Sequence, residues 1–291
     1  MSAKAKIAVI GAGLMGHGIA TNLQKHGHSL ALFAHPGNQP LDALLSGGAK
    51  TYSALPELAA NSEIIITVLT GSPQVEAVVT GPGGLLEGIK PGTILIDCST
   101  SLPESTKVVA QKVVAAKGRW LDAPMTRTPK EAAEGRLNLL VGGDAALLEE
   151  VRPVLKCFAE NILHAGAVSA GHSMKLLHNY VSMGMVALLA EAAACSTRSG
   201  VAPEVFVDVL AKGGGGGIAL ERIKPFLLAG DVSGLRFSIA NARKDLGYYG
   251  EMATQAHAAH ALADAVTATL EFGLKAKPEG LMPELAALLA K

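Results

Sequence analysis

Residues 6–25 read KIAVIGAGLMGHGIATNLQK, and the first strand, turn and helix of the fold are predicted from them. An apolar run leads directly into a G-x-G-x-x-G pattern, and a helix is predicted from there to about Lys25. The first glycine permits a tight turn, the second lets a pyrophosphate approach the backbone, and the third lets the helix pack on the strand. The N–H groups at the helix N-terminus favour phosphate. We therefore predict a dinucleotide-binding turn made by Gly11, Ala12, Gly13, Leu14, Met15 and Gly16.

The rest of the first half alternates short apolar runs with helix-like segments. KIAVIG, HSLALF, EIIITVL and GTILIDCS are each followed by a turn. Continuous apolar strands of this kind are typical of a parallel sheet covered by helices on both faces. RWLDA, LNLLVGG and ENILHAG extend the sheet to about residue 165. The pattern predicts an α/β fold, with a Rossmann-type, doubly wound dinucleotide-binding domain over residues 1–165.

After Gly166 the sequence becomes rich in Ala, Leu and Met with helical spacing. The first helix, at about 168–198, is long enough to join two domains. Shorter helices follow, with breaks at 202–203, 213–217, 229–231 and 277–278. We predict an all-α C-terminal domain over residues 166–291 for substrate binding and dimerisation. Its apolar surplus favours a homodimer or homotetramer.

Composition excludes several kinds of partner. Lys+Arg and Asp+Glu both number 25, so no broad basic surface is available for nucleic acid. The N-terminal apolar run breaks into glycines too soon for a signal sequence, and residues 181–195 are interpreted as a core helix rather than a membrane span. The three cysteines lack metal-site spacing. We expect a cytoplasmic protein with no membrane partner, no nucleic-acid partner and no metal.

The segment after the second strand bears on the choice of nicotinamide. An acidic residue there would bind a ribose 2′-hydroxyl and exclude a 2′-phosphate. Here Phe33 is followed by AHPGN, which contains neither a carboxylate nor an arginine. Ala34, His35 and Asn38 are the candidate contacts. The cofactor is predicted to be NADP or NAD, and the missing carboxylate favours NADP.

Five motifs occur in a fixed order along the chain: GAGLMG at 11–16, DCSTSLP at 97–103, DAPMTRTPKEAAEGRLNLLVGG at 122–143, GHSMKLLHN at 171–179 and RKDLGYY at 243–249. Together they resemble the β-hydroxyacid dehydrogenases, the group that includes 3-hydroxyisobutyrate dehydrogenase, tartronate semialdehyde reductase and sulfolactaldehyde reductase. The resemblance covers essentially the whole chain. It implies a dinucleotide-binding domain, a long interdomain helix and an all-helical C-terminal domain.

The resemblance also implies roles for particular residues. Lys175 falls where the family has its catalytic acid/base, and Asn179, one helical turn on, could hold the same substrate oxygen. Thr100 resembles a residue that contacts the nicotinamide, although it could instead cap the helix starting near Pro103. Leu69 matches a backbone contact to the cofactor, with core packing as the alternative. Lys244 resembles a cofactor ligand.

The chain departs from the family pattern at residues 125–129. Most members follow D-A-P with a Ser-Gly-Gly stretch that binds a carboxylate, whereas this chain has MTRTP. Thr126 and Arg127 are therefore the candidate substrate contacts. Arg127 resembles the arginine that sulfolactaldehyde reductases place against a sulfonate, and a solvated loop arginine is the alternative. His178 replaces that group's asparagine and is interpreted as a core or supporting histidine.

These observations favour an enzyme that interconverts a small anionic 3-hydroxy acid and its aldehyde. Two alternatives stay open. An imine reductase shares this fold but usually lacks the lysine in the long helix. A non-catalytic dinucleotide-binding protein, such as the dehydrogenase-like modules attached to chromatin factors, commonly loses that lysine too.

Overall fold

The computed structural model describes residues 4–291, and the chain divides into two compact units between Lys175 and Leu176. The first unit holds a nine-stranded sheet. Its strands are β1 (Lys6–Ile10), β2 (Ser29–Phe33), β3 (Lys50–Tyr52), β4 (Ile64–Thr67), β5 (Ile94–Asp97), β6 (Arg119–Asp122), β7 (Met125–Thr126), β8 (Leu137–Gly143) and β9 (Ala159–Gly166). Its helices are α1 (Gly16–Lys25), α2 (Asp42–Ser46), α3 (Leu55–Ala60), α4 (Ser72–Thr80), α5 (Pro103–Ala115), α6 (Pro129–Glu134) and α7 (Ala145–Leu155).

The strand order is β3-β2-β1-β4-β5-β6-β8-β7, and β9 also pairs with β8. Strands β1 to β6 are parallel, whereas β8 runs antiparallel to β6 and β7. Since β2 and β4 flank β1, the crossover connections diverge at the carboxyl end of β1. Ligands of open α/β sheets bind at such a point, and the glycine turn follows β1 directly.

Strand β1 shows why this sheet needs helices on both faces. Ile7 and Val9 belong to one buried cluster, while Ala8 and Ile10 belong to another. All four side chains are at most 1% exposed, so apolar residues are required at every position. The doubly wound α/β fold predicted from the apolar runs is confirmed.

The long helix predicted over 168–198 is α8 (Ala170–Arg198), which starts before the division between the units. The helices that follow are α9 (Pro203–Lys212), α10 (Ile218–Ala229), α11 (Ile239–Gln255), α12 (Ala261–Ala276) and α13 (Leu285–Leu289). Every predicted break lies at an end of one of these helices or between two of them. Proline at the start of α9 and the left-handed Gly230 after α10 are ordinary helix boundaries.

By length and composition α8 could cross a membrane, since its mean hydropathy reaches 1.3 over an 18-residue window of which 39% is buried. Core helices of globular proteins meet the same criterion. In the second unit Val186, Ala190 and Ala193 of this helix pack into a buried cluster with Ile239 and Leu270. This packing agrees with the interpretation of α8 as a core helix, and the absence of a membrane partner stays a prediction.

Candidate active site

The glycine turn joins β1 to α1 at the carboxyl edge of the sheet. Gly11 has φ +92°, and a Cβ there would lie 2.2 Å from the Val68 carbonyl oxygen. A Cβ on Gly16 would lie 2.1 Å from the Gly11 carbonyl oxygen. Packing within the chain therefore requires both glycines. The helix begins at Gly16 and ends at Lys25, as the pattern predicts.

Gly13 differs from its two neighbours in the motif. A Cβ there would lie 4.0 Å from the Gly37 carbonyl oxygen, the nearest atom beyond the adjacent residues. Packing does not exclude a side chain at Gly13, so the glycine leaves room for another group to approach the backbone. Leu14 is exposed, Met15 half-buried and Ala12 buried. The turn thus fits a dinucleotide pyrophosphate, which the N-terminus of α1 would attract.

The loop after β2 lies beside this turn, because the Gln39 N–H donates to the Ala12 carbonyl at 2.8 Å. The Asn38 side-chain amide donates to the Phe33 carbonyl at 2.9 Å, so it holds the loop itself. The imidazole Nδ1 of His35 accepts from the Gly37 N–H at 3.0 Å. Ala34 and His35 are exposed. Of these candidate cofactor contacts, His35 is the exposed polar side chain.

Strands β4 and β5 end at a second cluster of polar groups. The Leu69 N–H donates to the Ser99 hydroxyl at 2.9 Å, and the Leu69 side chain packs against a buried cluster. Thr100 is half-buried. Helix α5 begins at Pro103 with Leu102 at the N-cap position, so Thr100 does not cap it. Burial raises the pKa of the adjacent Cys98 thiol far above its usual range, which keeps it neutral.

Lys175 lies in the second turn of α8 and is half-buried. Its Nζ donates to the Met125 carbonyl oxygen at 2.8 Å. Met125 belongs to the short strand β7, which follows the turn after β6. The structure therefore brings together two of the motifs, residues 122–143 and residues 171–179.

The two residues after Met125 have separate surroundings. Thr126 is 8% exposed, and its hydroxyl accepts from the Asn138 side-chain amide at 3.1 Å. The Arg127 guanidinium donates to the Arg136 carbonyl and pairs with Glu160. Arg127 also has φ +83°, a conformation that favours glycine. Glycine would therefore fit the backbone at this position without strain.

In the second unit, Asn179 of α8 is 4% exposed and donates its side-chain amide to Asp245 of α11 at 2.6 Å. Lys244 Nζ lies 3.1 Å from the other Asp245 oxygen and 5.5 Å from the centre of the Tyr248 ring. Asp245 therefore joins two residues that the sequence singled out separately. His178 is exposed rather than in the core, and its Nδ1 contacts the Asn179 side-chain oxygen at 2.9 Å.

Sequence reasoning assigned no role to Asp245 or to the Met125 carbonyl. Asp245 falls on the buried side of α11 with Ala242, Leu246 and Tyr249, and an acidic residue in an apolar helix stripe is a usable signal. The Met125 carbonyl has no such signal, because a backbone atom is identified only by the fold. Among residues 4–291, no group of three or more His, Cys, Asp or Glu side chains could hold a metal ion.

A largely parallel sheet with a dinucleotide turn at its switch point, together with a lysine bonded to strand β7, is typical of a nicotinamide-dependent oxidoreductase. The chain matches the family described as the NAD binding domain of 6-phosphogluconate dehydrogenase over residues 6–166. Over residues 169–281 it matches the family described as NAD-binding of NADP-dependent 3-hydroxyisobutyrate dehydrogenase. The chain belongs to the β-hydroxyacid dehydrogenase family and is an NAD(P)-dependent oxidoreductase acting on CH–OH groups.

Named relatives agree with this assignment. The chain is 35% identical to the 2-(hydroxymethyl)glutarate dehydrogenase of Eubacterium barkeri, over 85% of this chain and 82% of that one. It is 34% identical to the 3-sulfolactaldehyde reductase of Escherichia coli, over 87% and 85%. The 3-hydroxyisobutyrate dehydrogenase of Mycobacterium tuberculosis has a TM-score of 0.88 at 26% identity, covering 99% of both chains.

The imine reductase alternative receives less support. An imine reductase structure from a Pseudomonas species has a TM-score of 0.58 at 20% identity. This likeness shows a shared fold alone. The interpretation as a hydroxyacid dehydrogenase is therefore better supported than the interpretation as an imine reductase.

Proposed function

We propose that this chain interconverts a small anionic 3-hydroxy acid and its aldehyde, with Lys175 as the general acid/base. The observation that carries the proposal is the 2.8 Å hydrogen bond from Lys175 Nζ to the Met125 carbonyl. An ammonium group has three donors, and a fixed carbonyl acceptor restricts where the others point. A lysine that is half-buried and oriented in this way suits proton transfer better than a solvated one.

The nicotinamide, when bound, supplies or accepts the hydride. During reduction, the Lys175 ammonium donates a proton to the substrate oxygen. During oxidation, the neutral amine accepts the hydroxyl proton. The hydrogen bond to the Met125 carbonyl keeps the Lys175 amine in the same orientation in both directions of the reaction.

Asn179 is proposed to hold the same substrate oxygen. Its side-chain NH₂ has two donors, and the 2.6 Å bond to Asp245 fixes the orientation of the amide. Asp245 also lies beside Lys244, the proposed cofactor ligand. Thr100 is proposed to contact the nicotinamide. Leu69 is proposed to contact the cofactor through its carbonyl oxygen, since its N–H is bonded to Ser99.

Thr126 and Arg127 are proposed to bind the substrate anion. The names of the two relatives, 2-(hydroxymethyl)glutarate dehydrogenase and 3-sulfolactaldehyde reductase, indicate small acidic substrates. Arg127 would have to exchange its Glu160 partner for the anion, so its contribution is expected in KM. Replacing Arg127 by glycine removes the charge and suits the local φ of +83°. We expect KM to rise about tenfold with kcat nearly unchanged, and an unchanged KM would place Arg127 outside the site.

The decisive experiment compares Lys175→Ala with Lys112→Ala, an exposed lysine on α5. We expect kcat to fall by about 10²- to 10⁴-fold in Lys175→Ala alone. The dissociation constant for the cofactor, followed by NAD(P)H fluorescence, should change by less than about twofold because the amine acts only on the substrate. Near-normal turnover of Lys175→Ala would contradict the proposal.

A substrate screen tests the rest of the proposed function. Purified protein is assayed with both nicotinamides against 3-hydroxyisobutyrate, glycerate, 4-hydroxybutyrate and sulfonate analogues. We expect turnover of a 3-hydroxy acid and a lower KM for NADPH than for NADH. A strong NADH preference would refute the NADP assignment. Cofactor binding without turnover on the whole panel would favour the non-catalytic alternative.

We further propose that residues 1–165 form the dinucleotide-binding domain, and that residues 166–291 form the domain for substrate binding and for pairing chains into a homodimer or homotetramer. The proposed exceptions are the substrate contacts Thr126 and Arg127 and the cofactor ligand Lys244. Leu188, Ile218 and Leu262 are large apolar side chains at least 68% exposed, and covering them would stabilise an oligomer. Light scattering on a sizing column tests this, since a monomer at micromolar concentration would contradict it. A cytoplasmic location is proposed as well.

A further inference from the structure

Two buried carboxylates lie side by side at the carboxyl edge of the sheet, and the proposed reaction uses neither. Asp97 ends β5 and Asp122 ends β6, and the two residues are partners in the parallel register. Both are 0% exposed. Burying a carboxylate is costly unless it is hydrogen-bonded or paired, so both need partners.

The partners of Asp122 are two backbone N–H groups at the start of α8. One carboxylate oxygen accepts from the Ser169 N–H at 2.7 Å and the other from the His172 N–H at 3.0 Å. The first N–H groups of a helix have no partner within the helix, and a negative charge there is stabilised by the helix dipole. Asp122 therefore caps α8 although it lies 47 and 50 residues away from these two groups in sequence.

The imidazole of His172 extends from the same turn of α8 towards Thr106 and Asp97. The ring is 0% exposed, with Nδ1 at 2.7 Å from the Thr106 hydroxyl and Nε2 at 3.7 Å from an Asp97 oxygen. The other Asp97 oxygen accepts from the Thr67 hydroxyl at 2.8 Å and the Ser99 N–H at 3.0 Å. His172 thus has its backbone N–H on Asp122 and its imidazole Nδ1 on Thr106, while Nε2 lies beyond hydrogen-bonding distance of Asp97.

The backbone next to His172 is so closely packed that an added Cβ would not fit. A Cβ on Gly171 would lie 2.2 Å from the Leu140 carbonyl oxygen, and one on Gly142 would lie 2.7 Å from the Gly171 nitrogen. Ser169 has φ +78°, which is strained for a residue other than glycine. Such strain persists where surrounding contacts determine the conformation. The first turn of α8 is therefore held firmly on β8.

Lys175 lies three residues after His172, on the same side of α8. Its bond to Met125 at 2.8 Å depends on where this turn sits. Displacements of about 1 Å in catalytic groups can cost about 10²-fold in rate. Asp97 also reaches the strand-end loop that carries Thr100, through the Ser99 N–H.

We propose that His172, bonded through its backbone N–H to Asp122 and through its imidazole to Thr106, is a positioning residue that sets Lys175 against the Met125 carbonyl. The proposal rests on the acid/base function proposed for Lys175.

The test uses His172→Leu, His172→Gln and a matched control, His28→Leu. Histidine 28 is a half-buried residue of the same unit that precedes β2, at the amino edge of the sheet. Leucine removes the hydrogen bond between the His172 imidazole and the Thr106 hydroxyl, whereas the glutamine amide can still bond to that hydroxyl. We expect kcat to fall at least about tenfold in His172→Leu and to recover partly in His172→Gln. His28→Leu should keep kcat within about twofold.

The dissociation constant for NAD(P)H is measured on each variant, below its thermal midpoint. A residue that only stabilises the fold would leave kcat of the folded enzyme unchanged. A folded His172→Leu with kcat within about twofold of the parent therefore overturns the positioning role. If His172→Leu does not fold, Thr106→Val removes only the hydroxyl beside Nδ1. We then expect kcat of Thr106→Val to fall at least about threefold, while the dissociation constant for NAD(P)H stays unchanged. A Thr106→Val variant with the parent's kcat overturns the positioning role of His172.

Failure of this inference differs from failure of the proposed function. Lys175→Ala with near-normal turnover overturns both, because no acid/base would then need positioning. An inactive Lys175→Ala together with a fully active His172→Leu overturns the positioning role alone.

Discussion

Helices α7 and α8 both begin in the first unit, and they start in opposite ways. At α7 the cap is local, because the Asp144 side chain accepts from the Leu147 N–H three residues later at 2.7 Å. At α8 the cap is Asp122, which belongs to strand β6. A local cap stabilises a helix wherever the helix lies, whereas a cap from the sheet also fixes its position. Of the two helices, α8 carries Lys175, and the proposed chemistry needs that fixed position.

The largest expected effect comes from removing each cap in turn. Asp122→Ala leaves two buried N–H groups without an acceptor, so we expect the free energy of unfolding to fall by about 3 kcal/mol. Asp144→Ala loses an ordinary N-cap, at about 1 kcal/mol. Urea unfolding followed by the fluorescence of Trp120 checks both, since this single tryptophan is buried in the first unit. Equal losses would remove the distinction between the two helix starts.

The close approach of α8 to β8 is tested with Gly171→Ala. A Cβ there would lie 2.2 Å from the Leu140 carbonyl oxygen, so we expect a loss of about 2 kcal/mol from forced displacement. Gly184→Ala in the same helix would meet its nearest atom at 3.9 Å. That control should gain about 0.5 kcal/mol, because alanine is the better helix former. Thermal unfolding by circular dichroism measures both, and a stabilised Gly171→Ala would contradict the tight packing.

The backbone of Ser169 offers a smaller test with the opposite sign. Glycine adopts a φ of +78° without strain, so we expect Ser169→Gly to raise the free energy of unfolding by about 0.5–1 kcal/mol. The midpoint of thermal unfolding measures this gain. A lower midpoint would mean that the serine side chain, rather than its backbone, supports the start of α8.

The smallest expected effect on stability concerns the start of a third helix, α6. This stabilisation depends on pH. The Thr128 hydroxyl donates to Glu131 and holds the pKa of that carboxyl below its usual value, and the Thr128 N–H donates to it as well. A lowered native pKa means that this stabilisation is complete above the unfolded pKa, at about pH 4.3, and is lost as pH falls through the native value. We expect Glu131→Gln to lose a few tenths of a kcal/mol at pH 7.

Urea unfolding of Glu131→Gln at pH 7 and at about pH 3 checks this dependence, and the difference from the parent should shrink at the lower pH. Glu104→Gln, in the first turn of α5, is the control, because Glu104 accepts from Lys107 and not from a helix cap. A loss in Glu131→Gln that grows as pH falls would contradict the assigned direction.

Most of the fold could be predicted from local pattern. Seven of the nine strands follow from apolar runs, and the ends of α1 and α8 lie within two residues of the prediction. Strands β3 and β7 were missed because three and two residues are too short to show an alternation. The antiparallel direction of β8 was not predicted either, since apolar runs do not encode strand direction.

The candidate site also has a part that could be predicted from the sequence and a part that could not. The glycine turn was predictable because it is a continuous stretch whose backbone requirements appear in its residues. Lys175, Asn179 and Lys244 were identified only through the resemblance of their motifs. Neither route reached Asp245 or the Met125 carbonyl, because each acts through a contact with a residue far away in sequence. Likewise, Arg127 is identified by sequence, but its pairing with Glu160 is visible only in the structure.

Local sequence was enough to predict the parallel strands, the phosphate-binding turn and the long helix, because each depends on residues within a few positions of one another. Which carboxylate caps α8, and which carbonyl orients Lys175, is visible only in the folded chain. Those contacts join residues 47 to 50 positions apart, and folding is what brings them within hydrogen-bonding distance.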